Sequence, residues 1–591
     1  MAVVGLYPLV AMPLARGAQW NGLFPYLEAD EHAYAAYANA IAQGRPRRND
    51  PYTGRDDSAQ GPQPESFLSV QFVPAYATAA AARLSGVNVS TVFALITLGA
   101  CVALALVVFR LALAVTGDAR VAALCAVAVV CLGTVPTMYG PARSLLGRGP
   151  LLFLYPVFLR RYIPALALPL YFGFLALAWR ARPTAPKGRA SALAAGLAFA
   201  LLVFTYFYLW TAAAAWFAAF ALLRLSAARA PERRAHLRLF AVTAAVAALA
   251  LVPYFLLLAR RDPVIDATHW LVRARAPDLF RGPEVLALVV LAALAAGAWR
   301  RMVSPRDRAV VFVAACALTP FAVFNQQLVT NRSLQPIHYE AYVANLTALL
   351  AALLAAALLA RGKLEAKTYG RLLLLCAAAS FVWGLAGSAL SSRGERERSF
   401  AAQDAALPAA LRLAELGRAG GTLDTRSIVF APDTAVADFL PTVAPQPVLW
   451  APHSFVFTGI GQDEDGGERE RFAQFLHYSG VSLDDYDGHG RGRFDAESYN
   501  YLLVLRGRAS GTSETGGGLR PLDAVEAREL LRGYAGYRAS FDRTRAARTP
   551  VSYLLVAADS AADLSGFDRW YERDAGERHG GFLLHRVRLR P

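Results

Sequence analysis

The sequence predicts a multi-span α-helical membrane protein of about eleven spans with a C-terminal extracytoplasmic α/β domain. Three observations predict it. Of the 591 residues 56% are hydrophobic, above the roughly 45–50% of an average soluble domain, and the excess lies before residue 392. Short loops between the apolar runs carry clustered arginines in alternation, the pattern that orients a polytopic chain. Beyond residue 391 no further span appears and Gly, Asp and Glu become more frequent.

In chain order, residues 2–15 are read as a first span, although a span needs about 20 apolar residues. Residues 66–84 are weakly apolar, contain Pro74, and are read as an interfacial helix. Spans follow near 90–115, 120–136, 162–179, 190–205, 207–223, 239–258, 283–299, 309–324, 341–360 and 372–390. Alternate loops hold Arg180, Arg182, Lys187 and Arg189; then Arg229, Arg233, Arg234 and Arg238; then Arg300, Arg301, Arg306 and Arg308; then Arg361, Lys363, Lys367 and Arg371. The positive-inside rule makes these loops cytoplasmic, which puts the N-terminus inside and everything after 391 outside. The first outer loop, 17–65, agrees, with seven acids against four arginines. Residues 1–391 are thus a transmembrane domain and 392–591 an outer one. In the latter, SIVFA (427–431), PVLW (447–450), YNYLLVLRG (499–507), VSYLLVAA (551–558) and GFLLHRV (581–587) read as strands, with helices at 402–417, 467–478 and 523–534.

Net charge is +16, but much of it sits in short inter-span loops, so it orients the chain and implies no nucleic-acid partner. Only three of the 60 basic residues are lysine, an arginine and alanine bias that suggests a GC-rich bacterial genome; with the spans, this makes a bacterial cytoplasmic membrane the expected location. All five cysteines lie in apolar runs, so neither a disulfide framework nor a thiolate metal site is legible. The stretch 484–497 has a calcium-like look but fails the EF-hand spacing at Leu483.

The most informative segment is 28–54, polar and acidic, just after the first apolar run. On a helical period Asp30, Tyr34, Tyr37 and Ile41 share a face. Asp30 and Glu31 are candidate catalytic carboxylates, and Tyr34 and Tyr37 candidate pocket residues; the plainer alternative makes Asp30 a helix N-cap and Glu31 a partner of the helix dipole. A second cluster, NQQLVTNRSLQPIHYE (325–340), packs Gln326, Gln327, Arg332, Gln335, His338 and Glu340 into one outer loop. A third source is the outer loop 137–161, with Arg143, Arg148, Arg160 and Arg161 before a span entered at Tyr162 and Pro164. Outward arginines at a bilayer surface suit a lipid-linked phosphate, or simply anionic headgroups.

Asp30-Glu31, followed by Tyr34-Ala35 and a helix ending at Gly44, resembles the first-loop motif of the GT-C glycosyltransferase superfamily, closest to the protein O-mannosyltransferase and aminoarabinose transferase pattern, with the glycine one position early. The layout of spans, interfacial helix and outer C-terminal domain resembles it too. The resemblance implies an integral membrane glycosyltransferase using a polyprenyl-phosphate-linked sugar donor and an envelope glycan, lipid or protein acceptor. It implies Asp30 as base and Glu31 as helper or metal ligand; some members use a divalent cation such as Mg or Mn and others none. Arg143, Arg161, Arg332, Gln335 and His338 are then the candidates for the donor phosphate, and Tyr34, Tyr37, Gln327 and Glu340 for the pocket. A lipid-linked glycan ligase would lean on Arg332 and His338 instead. A transporter would favour mid-bilayer charges and matching halves, which this sequence lacks.

Overall fold

A computed structural model describes residues 1–133, 135–136, 159–262, 271–361, 365–457, 467–483, 496–507 and 521–591. Arg143, Arg148 and most of the calcium-like stretch lie outside the described residues.

Each predicted apolar run forms a helix. Ala2–Arg16 comes first, then Val89–Thr116, Ala119–Cys131, Ala167–Arg180, Gly188–Val203, Phe207–Ala227, Ala230–Leu258, Gly282–Trp299, Arg308–Phe324, Asn345–Ala360 and Ala366–Ser391. By length and composition seven helices among the described residues are able to cross a membrane, and Ala119–Cys131, Ala167–Arg180 and Gly188–Val203 are shorter apolar ones. The helices are apolar on most of their circumference, as expected where lipid surrounds a bundle. Leu249, Val252 and Leu256 on one helix and Leu374 and Leu375 on another stay exposed at its outer surface. Association between such helices depends on close packing. At Gly196 a methyl would meet Val246 Cβ at 2.7 Å, and beside it Thr243 Oγ1 donates to the Ala192 carbonyl at 2.9 Å.

Two ends of the bundle are distinguishable. At one, Arg361 donates to the Thr116 carbonyl at 2.8 Å and Arg308 to that of Trp179. At the other lie the first-loop helix Glu31–Ala42, the predicted interfacial segment as Phe67–Val70 and Val73–Ser85, and the 325–344 loop. In this loop β2 (Ser333–Leu334) pairs antiparallel with β1 (Leu271–Val272).

The C-terminal sheet contains β3 (Ile428–Phe430), β4 (Val551–Ala557), β5 (Tyr571–Arg573), β6 (Glu577–His579) and β7 (Phe582–Leu589). Its order is β3-β4-β7-β5, with β6 also on β7; β3 and β4 are parallel and the rest antiparallel. One predicted strand is corrected: 499–507 lies in a helix, Ala496–Arg506, packed against Glu468–Tyr478 and Ala524–Ala539. A short apolar run reads equally as buried strand or buried helix until its neighbours are known. PVLW, also read as a strand, is corrected too: it carries an isolated Val429–Val448 bridge to β3 and bends at Leu449.

The C-terminal region seats directly on the first loop. Asp404 accepts from Arg16 Nε at 2.8 Å and from the backbone N–H groups of Asn21 and Leu23 at 3.0 and 3.2 Å. Val448 N–H donates to the Tyr52 carbonyl at 3.0 Å, and Asn39 donates to Pro441 O at 3.1 Å. Gly54, at φ +77°, lies so close to the Thr425 carbonyl that an added methyl would fall 1.9 Å from it. Only glycine meets both conditions. One apolar core runs without a break from the bundle through Phe400, Leu413, Phe439 and Phe457.

Candidate functional site

The helix Glu31–Ala42 begins at Asp30, which occupies the N-cap position but makes no side-chain capping bond. Its carboxylate turns the other way, into a cavity of about 400 Å³. There Arg160 donates through Nη2 to Asp30 Oδ2 and to the Tyr34 hydroxyl, and through Nη1 to the Tyr342 hydroxyl at 2.5 Å. The guanidinium carbon lies 5.3 Å from the Tyr34 ring centre and 5.0 Å from that of Tyr342. Glu28 approaches Arg160 Nε at 3.6 Å. Asp30 keeps 43% of its side-chain surface open, Glu28 19% and Arg160 3%. Glu28, Asp30 and Arg160 all line the cavity, so that open surface faces into it.

Glu31, one residue on, is fully buried, as is its partner Arg161. Glu31 Oε2 accepts from Arg161 Nη2 at 2.6 Å and from Leu27 N–H at 2.9 Å, while Oε1 accepts from the Arg161 backbone N–H at 2.6 Å and from its Nε at 3.2 Å. The Arg161 guanidinium also donates to the Pro25 carbonyl at 2.6 Å. This pair ties the loop before the Ala167–Arg180 helix to the first-loop turn. It corrects two expectations: Arg161 has no surface to offer a phosphate, and Glu31 has no oxygen lone pair directed at a metal or an acceptor. Arginine still faces the cavity, but it is Arg160.

Of the 325–340 loop, Gln335 and His338 line the cavity; the His338 ring stacks on Tyr208 at 4.7 Å between centres. The other candidates lie elsewhere. Arg332 is exposed and does not line the cavity. Gln327 donates to the Ala276 carbonyl at 3.0 Å. Glu340 accepts from Arg281 at 2.8 Å. Tyr37, on the predicted stripe, is buried away from the cavity, donating to the Arg47 carbonyl at 2.6 Å and packing on Phe457. The remaining wall is aromatic and apolar, from Phe67, Tyr206, Phe207 and Ile337, with Phe455 and Val456 from the C-terminal region.

Sequence reasoning missed that last contribution altogether. His453, on the turn carrying Phe455, brings Nε2 to 3.6 Å from Asp30 Oδ1. Its Nδ1 is 2.7 Å from Asp438 Oδ2, and its backbone N–H donates to Asp438 Oδ1 at 3.2 Å. His32 lies 3.7 Å from the same Asp438 oxygen.

The electrostatics divide the two open carboxylates. Burial alone would raise Asp30, but Arg160 and then His453 outweigh it and hold the group well below the usual carboxylate range. Glu28 moves up, because burial and the Asp30 charge outweigh its longer contact with Arg160. His453 is pushed down by burial, yet Asp438 and Asp30 together carry it up to about 10. Asp438 is lowered against its own burial, mainly by His453.

These shifts give a pH dependence with a definite sign. A raised histidine stabilises fully below its ordinary value of about 6.5, and that contribution is lost as pH rises through the folded value of about 10. The lowered Asp30 and Asp438 stabilise fully above about 3.9 and lose that contribution as pH falls through their folded values. The seating of the C-terminal region on the first loop is therefore expected to be firmest between about pH 4 and 6.5. A thermal-melting series should show the midpoint falling on both sides, and a midpoint flat from pH 6 to pH 10 would contradict the assignment of a charged His453.

Among the described residues no group of three or more His, Cys, Asp or Glu side chains is arranged to hold a metal ion. The donor set at the cavity also suits a divalent cation poorly. Asp30 already lies between two cationic groups, and Glu31 is committed on both oxygens.

No family model matches the chain, and no curated protein matches it in sequence. Solved structures that align with it include the oligosaccharyltransferase AglB from Archaeoglobus fulgidus in complex with an inhibitory peptide and a dolichol-phosphate, at 12% identity, 99% of this chain, 73% of that one and a TM-score of 0.48. A crystal structure of the Archaeoglobus fulgidus oligosaccharyltransferase with zinc and sulfate aligns at 13% identity over 99% and 72%, with a TM-score of 0.44. ArnT from Cupriavidus metallidurans bound to undecaprenyl phosphate aligns at 15% identity over 99% and 97%, with a TM-score of 0.40.

Proposed function

We propose that the chain is an integral membrane glycosyltransferase of GT-C type, moving a sugar from a polyprenyl-phosphate carrier to an acceptor at the outer face of a bacterial cytoplasmic membrane. One observation carries the reading: a buried arginine and an open carboxylate meet in a single aromatic-walled cavity at one end of a helical bundle. The first-loop motif that resembles the superfamily supplies that carboxylate. A lipid-tailed phosphate requires a cavity at a bundle end and a fixed cation, and Arg160 meets that need with a guanidinium suited to a phosphate.

In this mechanism the donor phosphate sits on Arg160 with His338 nearby, and the sugar lies against Tyr206, Tyr208 and Gln335. An acceptor heteroatom attacks the anomeric carbon as the bond from that carbon to the phosphate oxygen breaks. The acceptor proton passes to Asp30, and the polyprenyl phosphate leaves with its charge held by Arg160. A single displacement inverts the anomeric centre. Asp30 and the phosphate compete for the same guanidinium. Donor binding therefore loosens the contact that holds Asp30 low and returns basicity to it, matching the base to its task. Envelope glycan, lipid and protein all remain acceptor classes for this geometry.

The test is binding of undecaprenyl phosphate to the purified full chain in nanodiscs, followed by native mass spectrometry. Arg160→Ala and Arg160→Lys are expected to weaken binding about 10- to 100-fold, the size of a lost charge-assisted hydrogen bond. Arg332→Ala should leave it unchanged. Equal retention by wild type and both Arg160 variants would remove the phosphate site from this cavity.

A further inference from the structure

The C-terminal region does more than cover the cavity. The turn at 451–457 places three side chains at it: Phe455 and Val456 in its wall, and His453 against Asp30. His453 is 6% exposed and Asp438 5%, so the pair is built into the interior rather than left at a rim. Asp438 engages His453 twice, through the ring Nδ1 and through the backbone N–H. That double hold fixes the ring orientation and keeps a proton on Nδ1, leaving Nε2 as the atom facing Asp30. The ring is further flanked by His32, its centre 6.3 Å away with the planes 23° apart, and by Phe455 at 6.2 Å and 25°. A histidine aligned by a buried carboxylate and aimed at a second, open carboxylate is an arrangement in which the first acid orients the ring and the ring orients the second acid.

We propose that His453 is a positioning residue of the transfer site: supplied by the C-terminal region and aligned by Asp438, it holds Asp30 by Oδ1 while Arg160 holds Oδ2. The carboxylate is thereby gripped from two sides, by two segments almost 300 residues apart in sequence. When the donor phosphate draws on Arg160, His453 still holds Asp30 and keeps its orientation toward the acceptor. The 3.6 Å separation of His453 Nε2 from Asp30 Oδ1 is an ion-pair distance rather than a hydrogen bond. The inference rests on the reading of this cavity as the transfer site, but the contact itself is testable without turnover.

The charged and titratable groups facing His453 and its partner Asp30 include Asp438, His32 and Tyr52 on the near side, and Arg160, Glu28, His338, Tyr34, Tyr206 and Tyr342 across the cavity. The experiment uses the full chain in nanodiscs with ¹⁵N-labelled histidine, read by solid-state NMR as a function of pH and assigned by the His453→Gln difference. At pH 8, where an unperturbed histidine is neutral, the wild type should show an imidazolium signal that His453→Gln removes. Asp30→Asn should lower the midpoint of that signal by about one pH unit, the loss of one nearby charge. An unchanged midpoint in Asp30→Asn overturns the proposal whatever the activity.

The second arm measures sugar transfer with native lipid-linked donor. His453→Ala should lower kcat about 10- to 100-fold with donor KM little changed, Asp438→Asn should do so less, and His453→Gln, which keeps an N–H in reach of Asp30, should recover part of the loss. Full kcat in His453→Ala overturns the positioning role while leaving the transfer site intact. Full kcat in Asp30→Asn instead overturns the transfer-site reading, and the NMR arm still reports on the contact.

Discussion

Asp30→Asn is expected to lower sugar transfer about 1,000-fold, within the 10²–10⁴ range that a positioned proton acceptor contributes, with a smaller fall in melting temperature than Glu31→Gln gives, because Arg160 keeps the Glu28 carboxylate at 3.6 Å. The asymmetry between activity and stability is the informative part. Asp30 leaves 43% of its side chain open to the cavity, caps nothing in its helix, and is isosteric with asparagine, so the fold loses the ion pairs to Arg160 and His453 but keeps its packing. On the proposed mechanism, the reaction loses the group that receives the acceptor proton. Glu28→Gln is the matching control: its carboxyl lines the same cavity but meets Arg160 only at 3.6 Å, and about a tenfold fall is expected, arising from the changed field around Arg160. Initial rates of the two variants at saturating donor, with melting curves alongside, separate the roles. Near-wild-type turnover in Asp30→Asn would remove the base assignment outright.

Glu31→Gln is expected to show the opposite profile: little folded protein, so that activity cannot be assessed. Glu31 accepts four N–H donors in a fully buried site. Glutamine replaces one acceptor oxygen by a donor, which then faces the Leu27 N–H or the Arg161 guanidinium, and leaves that guanidinium as a buried charge without its counter-ion. Breaking one half of such a pair costs about 3–5 kcal/mol, a large fraction of the roughly 5–15 kcal/mol that holds an ordinary domain together. The double change Glu31→Gln with Arg161→Met should recover much of the yield, because an apolar side chain in place of the arginine removes the stranded charge while the Gln carbonyl still accepts a backbone N–H. Yield and melting temperature of the single and double variants decide this. A double variant no better than Glu31→Gln would mean that the pair is not the source of the loss.

The contrast between neighbours explains how far the sequence carries. The helices were legible because long apolar runs leave a chain few alternatives in a bilayer. The first-loop acids were legible because adjacent carboxylates beside a bilayer are expensive to place without purpose. What sequence did not resolve was which of two consecutive residues faces the cavity: Asp30 or Glu31, Arg160 or Arg161. Successive residues of a helix or an extended turn point apart, so one register step exchanges a cavity residue for a buried tie. The 325–340 loop was legible as a polar cluster, yet Gln327 and Glu340 are spent on its own folding, against Ala276 and Arg281. His453 lay beyond reach for another reason. Nothing in APHSFVF marks a site, because its partner is Asp30, far away in the chain, and only the tertiary fold joins them. The stretch 499–507 was misread for want of the same information, since a short apolar run takes its form from what covers it.

The seating of residues 404–457 on the loop after the first helix has a consequence for biogenesis. The segment containing Asp30 precedes in the chain, by some 400 residues, the groups that Asn39 and Tyr52 bond and the histidine that faces Asp30. Until those residues are made, the segment lacks these partners. A chain halted before residue 430 is therefore expected to hold the helical bundle and yet leave this segment open to added protease, and synthesis through residue 457 would close that window.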